Sequence, residues 1–245
     1  MTPAPVPSVE SRATPDGQFA PGVSDEGVNG ERLARAHARA LSNASYTVNQ
    51  TLVQRYSNGT LRSRYVTVAR FTDTPGRFVA TLRQTDRRNG ALVERTVRRY
   101  GDGDAAYAAI TEENTTRYER LRWPDGELRD PRQVYPENLT NTRSIARVFT
   151  LVETRVVDTV EVNGTRYARL ESAPNATLPP LVNVSVTALV SERGLLRSYR
   201  VTYDVSRAEG SVEATVAVSY TRVGETTVSE PAWLDRVDNG TTVLT

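Results

Sequence analysis

Residues 184–220, VSVTALVSERGLLRSYRVTYDVSRAEGSVEATVAVSY, constrain the fold more than any other stretch of this chain. Val184, Val186, Ala188 and Val190 alternate with Ser185, Thr187 and Ser191. After Glu192-Arg193-Gly194, Tyr199, Val201, Tyr203 and Val205 alternate with Arg200, Thr202, Asp204 and Ser206. After Glu209-Gly210, Val212, Ala214, Val216, Val218 and Tyr220 alternate with Ser211, Glu213, Thr215 and Ser219. Successive side chains of a strand point to opposite faces, so each run has one apolar and one polar side. Three such runs joined by short turns form an antiparallel ribbon with a face that must be covered. A helix, a second sheet or a ligand would each do so.

The same signature recurs upstream. SYTVNQTLVQRY and TLRSRYVTVARF flank Ser57-Asn58-Gly59, and Asn-Gly is a strong hairpin signal. Phe78, Ala80 and Leu82 mark a strand after Pro75-Gly76, and Asn89-Gly90 turns into ALVERTVRRY. DAAYAAIT, TTRYERLRW and the RVVDTVEV/TRYARLES hairpin on Asn163-Gly164 complete the set. Two segments have helical spacing instead. Asn29 would cap a helix over 30–42 with Leu33, His37, Ala40 and Leu41 on one face. In NTRSIARVFTLVETR, Ile145, Val148, Phe149 and Val152 form a second stripe. A Pro-rich connection, 121–140, lies between, and Trp233 and Leu234 of EPAWLDRV would seal one end.

An antiparallel sheet of ten or eleven strands must curl or split. The fold class expected is therefore mainly β (α+β): a strongly curved antiparallel sheet, a half-barrel, with two helices packed on its concave face. A β-sandwich is the rival. Residues 1–22, rich in Pro, Ser and Gly, read as a flexible tether, and 23–245 as a single domain.

Composition excludes several functions. The chain has no cysteine, so thiol catalysis and thiolate metal sites are out. All 31 basic residues are arginine, which removes lysine Schiff-base chemistry. A net charge of +2 is too balanced for a dedicated nucleic-acid binder. No stretch reaches the about 18 apolar residues of a membrane span, and no apolar leader is present at the start. His37, the single histidine, falls on the apolar face of a helix and reads as structural rather than catalytic or metal-binding. Glu112-Glu113 and Asp102-x-Asp104 are the closest acidic pairs. Glu112 and Glu113 are neighbours that would point to opposite faces of a strand, and Asp102 and Asp104 read as solvated loop charge, so neither makes a glycosidase pair. No catalytic residue, metal ligand or cofactor is expected.

Residues 20–64, with PGVS at 21–24, Gly27-Val28, the Leu33–Leu41 helix containing Ala36-His37, Ser45-Tyr46-Thr47 and the NGT turn at 58–60, resemble an uncharacterised family of haloarchaeal envelope lipoproteins. EPAWL at 230–234 fits the same pattern. The family resembles the LolA/LppX half-barrel, whose inner face holds lipid chains. The resemblance implies a non-enzymatic, exported envelope protein, a monomer, with a lipid or other hydrophobic small molecule as partner, peripheral membrane contact and no nucleic acid. Members carry a signal peptide and a lipobox cysteine. The sequence as given shows neither, so either its start is truncated or this copy is not anchored. The alternative reading is a structural or interaction module of the cell surface with no ligand.

On the carrier reading, the hydrophobic lining comprises Tyr46, Val48, Leu52, Phe78, Leu82, Val148, Phe149, Val186, Tyr199, Val201, Tyr203, Val216 and Val218. Arg and Tyr at the rim would hold a headgroup. Nine of the twelve asparagines lie in N-x-S/T sequons: Asn43, Asn49, Asn58, Asn114, Asn138, Asn163, Asn175, Asn183 and Asn239. They suggest export and N-glycosylation, although NGT is also a hairpin sequence.

Overall fold

The computed structural model describes residues 17–135, 139–173, 176–178, 181–207 and 210–237. Three short strands, β1 (Gln18–Ala20), β2 (Val23–Ser24) and β3 (Gly27–Val28), precede helix α1 (Gly30–Leu41). Six strands follow: β4 (Tyr46–Tyr56), β5 (Leu61–Phe71), β6 (Arg77–Arg88), β7 (Ala91–Asp102), β8 (Ala106–Glu112) and β9 (Thr115–Arg120). Helices α2 (Pro131–Val134) and α3 (Thr142–Leu151) lead to β10 (Thr154–Val162), β11 (Thr165–Ser172), β12 (Ala176–Leu178), β13 (Leu181–Ser191), β14 (Leu196–Arg207) and β15 (Gly210–Thr221). A 3-10 turn, Leu234–Arg236, lies near the end.

Eleven strands form one antiparallel path, β10-β11-β13-β14-β15-β4-β5-β6-β7-β8-β9, and β12 pairs with β13 beside it. The sheet is strongly curved and not closed. Asn89-Gly90 and Asn163-Gly164 both take positive φ, as their two-residue hairpins require. Register shifts at Gln54/Arg55, Val156/Asp158 and Val182/Ser185 mark bulges, which bend strands. The seam β15–β4 joins the two halves of the chain in unbroken register from Val212↔Tyr56 to Thr221↔Thr47.

The helices sit on the concave face. Leu33 and Leu41 of α1 and Ile145 and Phe149 of α3 share one buried cluster with Tyr46, Val48, Leu170, Val186, Val190 and Leu196 of the sheet. Asn29 caps α1, its side chain accepting from the Arg32 N–H at 2.9 Å. Gly30 is where the helices cross. A Cβ there would stand 2.5 Å from the Thr150 backbone nitrogen and 2.6 Å from the Ala146 oxygen.

Several expectations change. The tether does not extend to residue 22: Gln18–Ala20 pairs with Val23–Ser24, and Ala20 and Val23 are buried. The reason is local, since two- and three-residue strands carry no period to read. Residues 1–16 lie outside the described ones. Among the described residues there are three α-helices rather than two, because Pro131, at the first position of α2, and the cap Asp130 start a turn inside the Pro-rich connection. The segment 222–237 does not seal an end of the concavity but straps the convex face. Thr226 bonds Thr47 of β4 at 3.1 Å, Trp233 stacks on Tyr118 of β9 at 6.4 Å, and Arg236 donates to the Tyr118 hydroxyl.

Candidate functional site

Register defines two parts of the concave face. The first is covered by helices. Here Tyr46, Val48, Phe78, Phe149, Val186, Tyr199, Val201 and Val218, eight of the thirteen expected lining residues, are 5% exposed or less. Val148, Tyr203 and Val216 are partly buried against the same cluster. Burial pushes the phenols of Tyr46, Tyr199 and Tyr220 well above their ordinary range. The structure gathers these residues into one cluster in which they pack against protein.

The second part, away from the helices, is different. On β4–β7 the inward alternation continues as Gln50, Leu52 and Gln54, then Ser63, Tyr65 and Thr67, then Leu82, Gln84 and Asp86, then Val93, Arg95 and Val97. Leu52 is half-buried between Gln50 and Gln54, and Leu82 is half-buried against a small apolar cluster of Val97, Ala108 and Ile110. Asp86 accepts from the Tyr65 hydroxyl at 2.7 Å and from the Gln84 amide at 2.6 Å. The bond to Asp86 raises the Tyr65 pKa above its ordinary value. Ser63 donates to Gln54 at 3.0 Å, and Arg95 pairs with Glu112 at 2.6 Å. A cavity of about 430 Å³ opens here, lined by Gln84, Asp86, Val93, Arg95, Ile110 and Arg117 among others. On the β15 side of β4, Val216 lies opposite Leu52, and Val201 opposite Val216. The open concavity thus has an apolar flank on β14–β15 and, on β5–β8, a polar flank around that small apolar cluster. The polar flank is absent from the expected lining. Its signal was in the sequence: on β6, Phe78, Ala80 and Leu82 lead at the same period into Gln84 and Asp86.

His37 is fully buried. The Leu196 N–H donates to Nδ1 at 3.2 Å, so the ring proton sits on Nε2, which donates to the Thr140 carbonyl at 3.1 Å. Its edge meets Tyr220 at 4.6 Å. Desolvation lowers its pKa to about 4. The Tyr220 hydroxyl lies 2.9 Å from the Thr140 carbonyl and accepts from Asn141 at 3.0 Å. This node clamps the entry to α3 onto α1 and β14; with both nitrogens bound internally, His37 has no atom for catalysis. Among the described residues no group of three or more His, Asp or Glu could hold a metal. The acidic pairs also have local work: Asp102 Oδ1 accepts from the Asp104 and Ala105 N–H groups, and Glu112 faces Arg95.

Of the sequons, Asn43, Asn58, Asn114, Asn163 and Asn183 are exposed, Asn49 is half-buried on β4, and Asn138, Asn175 and Asn239 lie outside the described residues. Asn183 donates to Asp204 at 2.8 Å. The largest cavity described, about 1170 Å³, lies beside the end of α1 and includes Arg39, Arg193, Arg197, Glu161 and Glu225 in its wall. No helix among the described residues is long and apolar enough to cross a membrane.

The architecture is an open half-barrel with helices in its concavity. No protein-family model matches the chain, and no curated protein matches it. Among solved structures it is similar to LprF from Mycobacterium bovis, at 11% identity over 82% of this chain and 95% of that one, TM-score 0.44. It is also similar to the lipoprotein LppX from Mycobacterium tuberculosis, at 10% identity over 82% and 97%, TM-score 0.33. A LolA superfamily protein from Nitrosomonas europaea matches at 8% identity over 82% and 96%, TM-score 0.28. With TM-scores below 0.5, none of them bears on what this chain does.

Proposed function

We propose that this protein is a non-enzymatic binder or carrier of an amphipathic, lipid-like ligand at the cell envelope, and that the ligand sits in the open part of the concave face. The observation that carries this reading is the juxtaposition there of half-buried Leu52, Leu82 and Val216 with the Gln54–Ser63 and Tyr65–Asp86–Gln84 networks, beside a cavity of about 430 Å³. Ligand sites combine apolar lining with a few fixed polar groups in this way. Apolar burial supplies affinity, about 25 cal/mol per Å² removed from water. The carboxylate and amides orient a polar headgroup. The envelope setting is part of the proposal and draws on the sequon-rich sequence and the resemblance of residues 20–64 to haloarchaeal envelope lipoproteins. On that setting, among the described residues, the exposed Asn43, Asn58, Asn114 and Asn163 are open to glycan.

The test is binding of a fluorescent lysophospholipid, with native mass spectrometry of protein from its own envelope. Leu52→Asp and Val216→Asp alter half-buried positions and should weaken binding at least about tenfold while leaving the fold intact. Val201, at 5% exposure, is unsuited to this test because a charge there would unfold the core. Unchanged binding in both variants would sink the site. A second reading, a surface module with a closed interior, is favoured by the tight packing of the eight covered residues. It predicts no lipid mass and no probe binding.

A further inference from the structure

The convex face is electrostatically divided along the seam. On the β10–β15 side its charges are matched: register sets Arg155, Arg169 and Arg200 against Asp158, Glu171, Asp204 and Glu213, and Arg169 lies 3.6 Å from Asp158 and 3.7 Å from Glu171. On the β5–β7 side, register places Arg64, Arg70, Arg77, Arg83, Arg87 and Arg98 on the convex face, against Glu94 and Asp102 of the strands and Glu230 of the strap, which lies near Tyr100 and Arg77. Among the described residues none of these six arginines forms an ion pair. The whole chain is only +2, so the rest of the molecule is net acidic and the excess is concentrated here.

Two further features lie within this patch. Val68 and Leu92, 37% and 47% exposed, stand between the arginines, Leu92 directly opposite Arg87. Between Arg83 and Arg98 the face is dished, with a depression of about 310 Å³ lined by these two guanidiniums and by Thr81, Thr96 and Thr111. Guanidiniums and hydroxyls in one hollow match the acceptor oxygens of a phosphate.

We propose that the convex face of β5–β7 beyond the strap, around Arg64, Arg83, Arg87 and Arg98, docks on a membrane surface carrying anionic phospholipid headgroups. A phosphate occupies the hollow between Arg83 and Arg98, and Val68 and Leu92 enter the interface. The exposed apolar pair favours a lipid surface over a soluble acidic polymer, which would meet the arginines and leave the valine and leucine in water. Docking by this face turns the concave site away from the bilayer. It does not depend on that site holding a ligand.

The test is co-sedimentation of the full chain with phosphatidylcholine vesicles, with and without one-third phosphatidylglycerol, at about 0.05 M and about 0.5 M salt. Binding only to the anionic vesicles, lost at high salt, is expected. Each arginine contributes roughly fivefold to partitioning, so the triple variant Arg64→Gln/Arg83→Gln/Arg98→Gln should lose on the order of a hundredfold. Leu92→Ser should lose severalfold at unchanged charge, and Arg200→Gln, across the seam, should bind as the parent. Lysophospholipid binding on the concave face should survive the triple variant, so failure of one proposal is distinguishable from failure of the other. Equal binding by parent and triple variant overturns the docking face. So does release of the protein by millimolar inorganic phosphate at constant ionic strength, which would assign the hollow to free phosphate. Tighter binding to a soluble sulfated polysaccharide than to anionic vesicles, unaffected by Leu92→Ser, would assign the face to an acidic polymer.

Discussion

At the scale of single residues, His37 makes the fold sensitive to mild acid. The folded chain holds it neutral down to about pH 4, whereas the unfolded chain protonates it near 6.5. Its contribution to stability is therefore fully present above pH 6.5 and is lost as pH falls toward 4, at about 1.4 kcal/mol per unit. Between pH 6.5 and 5, where ordinary carboxylates are still largely ionised, unfolding free energy should fall by about 2 kcal/mol. Urea melts at the two pH values measure this. His37→Phe should start from lower stability, because the Leu196 N–H and Thr140 carbonyl lose their partner, yet show a flatter pH response in that window. An undiminished slope in the variant would mean that another group titrates. The histidine's structural character was legible from its place on an apolar helix face. Its partners were not, since Leu196 is 159 residues away.

At the scale of elements, the crossing of α1 and α3 depends on one missing side chain. Gly30→Ala puts a methyl group into the α3 backbone at a distance no packed pair tolerates, so the helices must part. A loss of about 1–3 kcal/mol in unfolding free energy is expected, without change at the convex face. The strap makes a second prediction. Trp233→Ala removes the stack on Tyr118, and hydrogen exchange of β9 should rise before that of β4 or β5. Equal protection of β9 in both proteins would show the strap to be an ornament of the edge. The long strands and both amphipathic helices could be read from periods of 2 and 3.6. The small sheet at Gln18–Val28, the four-residue α2 and the three-residue β12 could not, because none is long enough to complete a period. The polar flank was missed for another reason. The apolar face of 184–220 was extended to strands whose own alternation turns polar at Gln50, Gln84 and Asp86.

At the scale of the whole molecule, one sheet serves two environments. Its concave side is a dry core for half its length and an amphipathic trough for the rest. Its convex side is balanced on one flank and cationic on the other. The sheet's curvature was legible from strand number. The division of charge was not, because it follows from pairing β4 with β15, and no local pattern announces that partner.

That seam also sets an order of events. Ser45 and Thr226, which meet at its upper end, are separated by 181 positions. Everything between them must be made before the two half-sheets can join, and until then β4 and β15 each present an unpaired edge. A late, non-local closure of this kind is slow. During synthesis the chain therefore stays open and threadable until β15 has been made, and an early-folding half would still expose a strand for a chaperone to hold. On the envelope setting proposed above, delayed closure would keep the chain in a form that can be exported.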